Sequence, residues 1–255
     1  MKKEKWLAYT LFIAYSMTLL LNYLTATGYL TGHSQKDISN HFHTLITPSS
    51  AAFSIWSVIY FLLLVIIVKA YLTKEATYLE KLKAIYPFVM GTFLFNALWV
   101  ISFTSHQIGL STLLISLYTV FLLIILIFLK QLENKLSLLS MSFGIHFGWL
   151  LIATLVNWTI FFQKINLEQP VISTILLAII LVLLSIFVIW LANKITNPFV
   201  LPPLSWAFYF IFTENQLGPV HLAKITIGFL ALALAILIAL TFSYMMIQSL
   251  RKQHY

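Results

Sequence analysis

"HTLITPSSAAFSIWSVIYFLLLVIIV", residues 43–68, sets a proline and a short polar patch directly before an uncharged, almost wholly apolar run that ends only at Lys69. Such a run is long enough to cross the hydrocarbon core of a bilayer as one helix, which needs about 20 apolar residues. Its first turns carry Phe53, Trp56 and Tyr60 at i, i+3 and i+7, so the three rings share one helical face. They are either an anchor at the membrane edge or the rim of a ligand pocket.

The same criterion, applied outward along the chain, finds apolar segments near residues 6–26, 50–71, 84–104, 108–129, 138–162, 171–192, 199–213 and 220–247. Composition agrees: 61% of the 255 residues are hydrophobic, 9% are charged and the mean hydropathy is +0.96. That leaves too little polar surface to cover a soluble globule. The expectation is an all-α, multi-pass integral membrane protein with about eight spans, placed in the cell membrane. The seventh segment, "PFVLPPLSWAFYFIF", is short, and Pro202 and Pro203 are compatible with a helix only in its first turn. A full span and a re-entrant piece both remain open for it.

Lys and Arg accumulate in cytoplasmic loops and so report orientation. With eight spans and the N-terminus inside, Lys2, Lys3, Lys5, Lys69, Lys74, Lys81, Lys83, Lys130, Lys135, Lys194, Arg251 and Lys252 are cytoplasmic, and only Lys36, Lys164 and Lys224 lie outside. Omitting the seventh span worsens the ratio from 12 against 3 to 11 against 4. Both termini are therefore expected in the cytoplasm. The net charge of +8 is then an orientation signal with some attraction to anionic lipid, and requires no nucleic-acid partner. "MKKEKW" resembles the start of a signal peptide, but the apolar run from Leu7 to Leu24 is longer than a signal core and lacks an A-x-A site, so it is expected to stay as the first span.

The chemistry available is narrow. The chain has no cysteine, which removes disulfides, thiolate ligands and cysteine nucleophiles. The seven acids, Glu4, Asp37, Glu75, Glu80, Glu133, Glu168 and Glu214, sit in loops or at span ends, whereas coupled transporters usually hold a carboxylate at depth. No zincin, nucleophile-elbow or phosphate-loop motif occurs. An enzyme would have to work with histidines, amides and aromatics.

Polar groups within the spans are few and periodic. "FNALWVISF" aligns Asn96, Trp99 and Phe103; "HFGWLLIATLVNW" aligns His146, Trp149, Ala153 and Asn157. On pattern alone, helix packing explains such stripes more readily than ligand binding does: amides tie helices together, Gly148, Ala97 and Ala153 permit close approach, and Trp6, Trp158 and Trp190 suit interfacial anchoring. His146, a candidate ligand contact, reads by itself more readily as an interior histidine. In the first outer loop His33, His41 and His43 lie near Asp37 and are the candidates for a metal site, although three or four ligands in fixed geometry are needed and no supporting pattern accompanies them.

The order of these pieces, a first span, a loop ending in Pro, "FSIWSVIY", "FNALWVISF" and "GWLLIATLVNW", resembles the translocator-protein family, the tryptophan-rich sensory proteins (TspO/MBR), over residues 6–165. The resemblance implies a five-helix transmembrane bundle over 1–165, followed by a C-terminal extension of about three helices over 166–255 packed on it. It implies a pocket open toward the first loop, in a family that binds tetrapyrroles such as protoporphyrin and haem, and sterols or synthetic ligands in some members. The residues that match its motifs are Pro48, Phe53 and Trp56, then Asn96 and Trp99, then Trp149 and Asn157. A flat apolar macrocycle suits stacking on aromatic faces, with amides orienting its polar edge. The chain departs from the family where bacterial members carry paired prolines and a further Trp; here it reads "TPSSAAF". The sterol-type motif is not completed in "LVNWTIFFQK".

The leading expectation is a membrane binding or sensory protein for a hydrophobic small molecule, with a porphyrin or haem as ligand rather than obligatory cofactor. The alternatives are an uncoupled facilitator of lipophilic metabolites and a porphyrin-modifying enzyme. Homodimers occur in the resembling family, but no face of the sequence identifies an interface.

Overall fold

The computed structural model describes residues 5–133, 135–165, 170–219 and 221–251. Lys2, Lys3, Glu4, Glu168 and Lys252, used above, lie outside the described residues, as does most of the linker before Pro170. Among the described residues all regular structure is helical: α1 (Lys5–Ala26), α2 (Gln35–His41), α3 (Ile55–Leu72), α4 (Ala76–Thr104), α5 (Ile108–Leu132), α6 (Leu138–Lys164), α7 (Pro170–Lys194), α8 (Leu201–Asn215) and α9 (Leu222–Arg251), with 3-10 turns at Ser50–Ser54 and Pro198–Val200. Seven of these are long and apolar enough to cross a membrane, which establishes an all-α multi-pass membrane protein. The other two are α2, at 7 residues, and α8, at 15 residues or about 22 Å, short of a hydrocarbon core of about 30 Å.

Local chemistry accounts for the boundaries. Ser34 caps α2: its hydroxyl accepts from the Asp37 N–H at 3.1 Å, and its own N–H donates to the Asp37 carboxylate at 2.8 Å, a reciprocal capping box. α4 begins well before its apolar run because "ATYLEKLKA" is a strong helix former that can project beyond the membrane. Pro87 lies inside that helix, where it removes one backbone donor. Pro202 and Pro203 stand in the first turn of α8, where donors are unpaired in any case.

The chain forms two compact units, interleaved along the sequence. The first comprises the residues up to Phe42 together with Trp56–Phe143; the second comprises His43–Ile55 with the residues from Gly144 onward. This grouping by contact differs from the division by pattern at residue 165, because the Pro48 segment and most of α6 group with the C-terminal helices.

In the first unit α4 packs along α5 and α1. Leu7, Leu11, Leu82, Ile85, Ile115, Leu122 and Ile125 are fully buried. Near the ends of α3 and α4 the Tyr78 hydroxyl donates to the Ile66 carbonyl at 3.2 Å, and Lys69 lies 4.5 Å over the Tyr78 ring and 3.6 Å from Glu75. Glu133, almost fully buried, accepts from Ser137 and Ser140 and pairs with Lys81 at 3.6 Å. In the second unit α8 packs on α9 over most of its length, with Leu204, Phe208, Ile211, Ile227 and Ile238 buried. Since lipid is as apolar as these side chains, helix association rests on packing and interhelical hydrogen bonds more than on transfer from water.

Candidate functional site

The predicted residues fall into two groups, one in each unit. In the first unit the start of α3 and the second half of α4 face each other through indoles. Trp56 stacks on Trp99 with centroids 6.3 Å apart and planes 27° from parallel. Tyr60 continues the stack below Trp56 at 5.5 Å and 22°, and Phe103 follows Trp99 at 6.0 Å and 30°. Four rings at helical spacing on two helices thus form one column of nearly parallel faces. Trp99 and Phe103 are buried, while Trp56 and Tyr60 are half-buried.

Asn96, one turn before Trp99, is 1% exposed and bonded to two other helices. Its side-chain oxygen accepts from Asn22 Nδ2 at 2.7 Å, and its amide donates to the Tyr118 hydroxyl at 3.5 Å. Asn96 therefore joins α1, α4 and α5. Asn22 and Tyr118 were not among the sequence candidates; the signal that could have found them is that each is a polar residue isolated in an apolar span, as Asn96 is. Tyr15 adds a second tie, its hydroxyl donating to the Tyr60 carbonyl at 3.2 Å.

In the second unit Phe53 meets Trp149 edge to face at 5.9 Å and 81°. Trp149 and His146 are buried at 2% and 1% exposure, and Pro48 is buried as well. Asn157 is also buried, and its amide donates back to the Ala153 carbonyl at 3.0 Å within α6. Gly144 and Gly148 open one face of α6 to the turn before α8: a methyl on Gly148 would collide with the Val200 carbonyl, and one on Gly144 would crowd Asn197 and Phe199. This G-x-x-x-G face is used inside the chain.

The segment His43–Ile55 lies antiparallel to α8 through a ladder of bonds. Glu214 accepts from His43 at 3.2 Å, and Asn215 donates to the Leu45 carbonyl at 2.9 Å. The Ser49 N–H donates to the Phe210 carbonyl at 3.1 Å, its hydroxyl is 3.3 Å from that of Thr213, and the Trp206 indole N–H donates to the Ala52 carbonyl at 3.1 Å. The sequence reading assigned no role to Trp206, Glu214 or Asn215. No periodicity within one segment encodes a pairing across some 150 residues.

The three candidate metal histidines are distributed differently. His33 and His41 lie near His106, with ring centroids 4.8 and 6.2 Å from it, whereas His43 engages Glu214. Among the described residues no group of three His, Cys, Asp or Glu side chains is arranged to hold a metal ion. Trp6, Trp158 and Trp190 stand exposed near the ends of α1, α6 and α7, as interfacial anchors do.

Seven long apolar helices define a polytopic helical membrane protein. The chain belongs to the TSPO-like protein family, whose family model matches residues 6–244. The match reaches beyond residue 165, so the last helices lie within the family pattern as well. No curated protein and no solved structure matches the chain.

Proposed function

We propose that the protein binds a flat hydrophobic small molecule, a tetrapyrrole such as protoporphyrin or haem, from within the cell membrane. The observation that carries this reading is the column Tyr60, Trp56, Trp99 and Phe103. Successive rings lie 22°, 27° and 30° from parallel, and the half-buried Trp56 and Tyr60 leave part of this aromatic wall accessible. Offset stacking on such a wall adds about 0.5–1.5 kcal/mol per aromatic pair beyond area burial. Pro48, Phe53, His146, Trp149 and Asn157, which belong to the second unit, are candidates by motif and stripe alone. Asn96 serves as a helix tie through its bonds to Asn22 and Tyr118. The bilayer is both solvent and source of the ligand, and a homodimer is the assembly the family suggests.

The test is titration of detergent-purified protein with protoporphyrin IX and with haem, read by tryptophan fluorescence quenching. Trp56→Leu and Trp99→Leu are expected to weaken saturable quenching at least about tenfold, a loss of ~1.4 kcal/mol, with thermal unfolding showing that each variant is folded. Absence of saturable binding by the unaltered protein, or binding untouched by both substitutions, overturns the proposal.

A further inference from the structure

α2 is held to the first unit by very little. Its own bonds are local: Ser34 and Asp37 cap each other, and the Phe42 N–H donates to the Ile38 carbonyl at 3.0 Å. Among the described residues no hydrogen bond or ion pair ties α2 to α1, α4 or α5. What remains is the buried face of Ile38 and Ser39 and a cluster of three imidazoles. His106, in the turn between α4 and α5, is the hub: the His33 ring lies 4.8 Å from it at 88°, the His41 ring 6.2 Å at 79° and the Phe42 ring 6.4 Å at 65°. His33 immediately precedes the Ser34 cap and His41 is the last residue of α2, so the cluster grips the helix at both ends. The hub itself is fixed in a left-handed conformation, φ 58°, with its N–H donating to the Phe103 carbonyl at 3.1 Å. Phe103 is the last ring of the aromatic column, so the clasp is built on the turn that ends the column's own helix.

Imidazoles are the side chains that ordinarily gain charge between about pH 5 and 8. Neutral rings pack well edge to face, whereas protonated rings at these separations repel. His33 and His41 are exposed, so solvent protons reach them. The charges around the cluster do not offset three imidazolium ions. Lys36 and Asp37 lie on α2 itself, and the Asp37 carboxylate already interacts with both Lys36 and His33. The end of α1 and the turn after it offer only the phenols of Tyr23 and Tyr29, and the adjoining ends of α4 and α5 offer no ionisable side chain besides His106. Glu75, Glu80 and Glu133 stand at the opposite end of the unit. Contact within the cluster therefore disfavours protonation, so attachment of α2 is complete above the imidazole range and is lost as pH falls through it.

We propose that α2 is an acid-released lid, packed on α4 beside the end of the aromatic column while His33, His41 and His106 are neutral, and freed with its capping box intact when they take up protons. That the lid admits a ligand rests on the column being the binding site; its release does not.

The chain has no native cysteine, so the test is thiol accessibility on the detergent-purified full chain. Ser39→Cys lies on the buried face of α2 and Asn40→Cys on its exposed face, and the ratio of their N-ethylmaleimide rates removes the common effect of pH on a thiol. Between pH 7.5 and 5.5 the ratio is expected to rise about fivefold. His106→Phe, which keeps a ring at the hub and removes its proton site, should hold the ratio within about twofold of its neutral value, with thermal unfolding showing that the variant is folded. His106→Gln, the second variant, should start from a higher ratio and lose the rise. A constant ratio in the native background, or an undiminished rise in both His106 variants, overturns the proposal. A ratio that shifts on addition of EDTA alone would make the histidines metal ligands and overturn it equally. Protoporphyrin enters none of these outcomes, so failure of the lid and failure of the tetrapyrrole reading are separate results.

Discussion

At the scale of single residues, Asn96 and Asp37 show two uses of a polar side chain. Asn96 replaces the hydrogen bonds it would make in water with bonds to two other helices. Its replacement by alanine is expected to cost about 1 kcal/mol, within the range measured for interhelical bonds in membranes, and to lower the thermal midpoint in detergent while leaving ligand quenching within about twofold. Loss of quenching without loss of stability would instead make Asn96 a ligand contact. Asp37 is exposed, and the Ser34 N–H and hydroxyl hold its carboxyl below the usual carboxylate range. Because the folded value is depressed, its capping contribution is complete above the unfolded value near 4 and is lost as pH falls through the folded one. Amide exchange at Asp37 should therefore lose protection only in that acidic window, and Asp37→Asn should remove the pH dependence. Protection that changed between pH 5 and 7 would point to a different group.

At the scale of elements, the contact between α6 and the turn before α8 depends on two missing side chains. Gly148→Ala would force a methyl against the Val200 backbone, which cannot rotate away as a side chain can. The expected cost is about 1–3 kcal/mol, as for overpacking of a rigid site, read as a lower unfolding midpoint; an unchanged midpoint would show the turn to be soft. The strap formed by His43–Ile55 is held to α8 largely through backbone groups, so α8 side chains decide its local stability. Trp206→Phe and Asn215→Leu are each expected to raise amide exchange at Ser49 about tenfold without changing that of α5. Equal effects on both would indicate global unfolding rather than release of the strap.

At the scale of the whole molecule, the positive charges and the eight apolar segments predict both termini in the cytoplasm. The chain has no native cysteine, so single-cysteine variants report topology without background. Thr27→Cys and Gln216→Cys should react with a membrane-impermeant maleimide from outside, and Thr73→Cys and Ser249→Cys only after permeabilisation. Reaction of Ser249→Cys from outside would show that α8 does not cross, leaving seven crossings. The length of α8 makes this the informative position, since about 22 Å of helix crosses only with help from the Pro198–Val200 turn before it or from local thinning of the bilayer.

What the sequence determined alone was everything carried by local pattern. The helix positions agree with the apolar runs to within a few residues, apart from the early start of α4, because hydrocarbon forces each segment to satisfy its own backbone. The aromatic stripes of α3 and α4 were legible because the 3.6-residue period puts Trp56 with Tyr60 and Trp99 with Phe103 on single faces. Tertiary structure decided which stripes meet. It stacked Trp56 on Trp99, gave Asn96 to Asn22 and Tyr118, set Phe53 against Trp149 and laid the Pro48 segment along α8. It also turned a short, proline-opened segment of unclear purpose into the dock for that segment. These pairings join residues far apart in the chain, and in an apolar medium where almost any two faces are compatible, only close packing and a few hydrogen bonds choose among them.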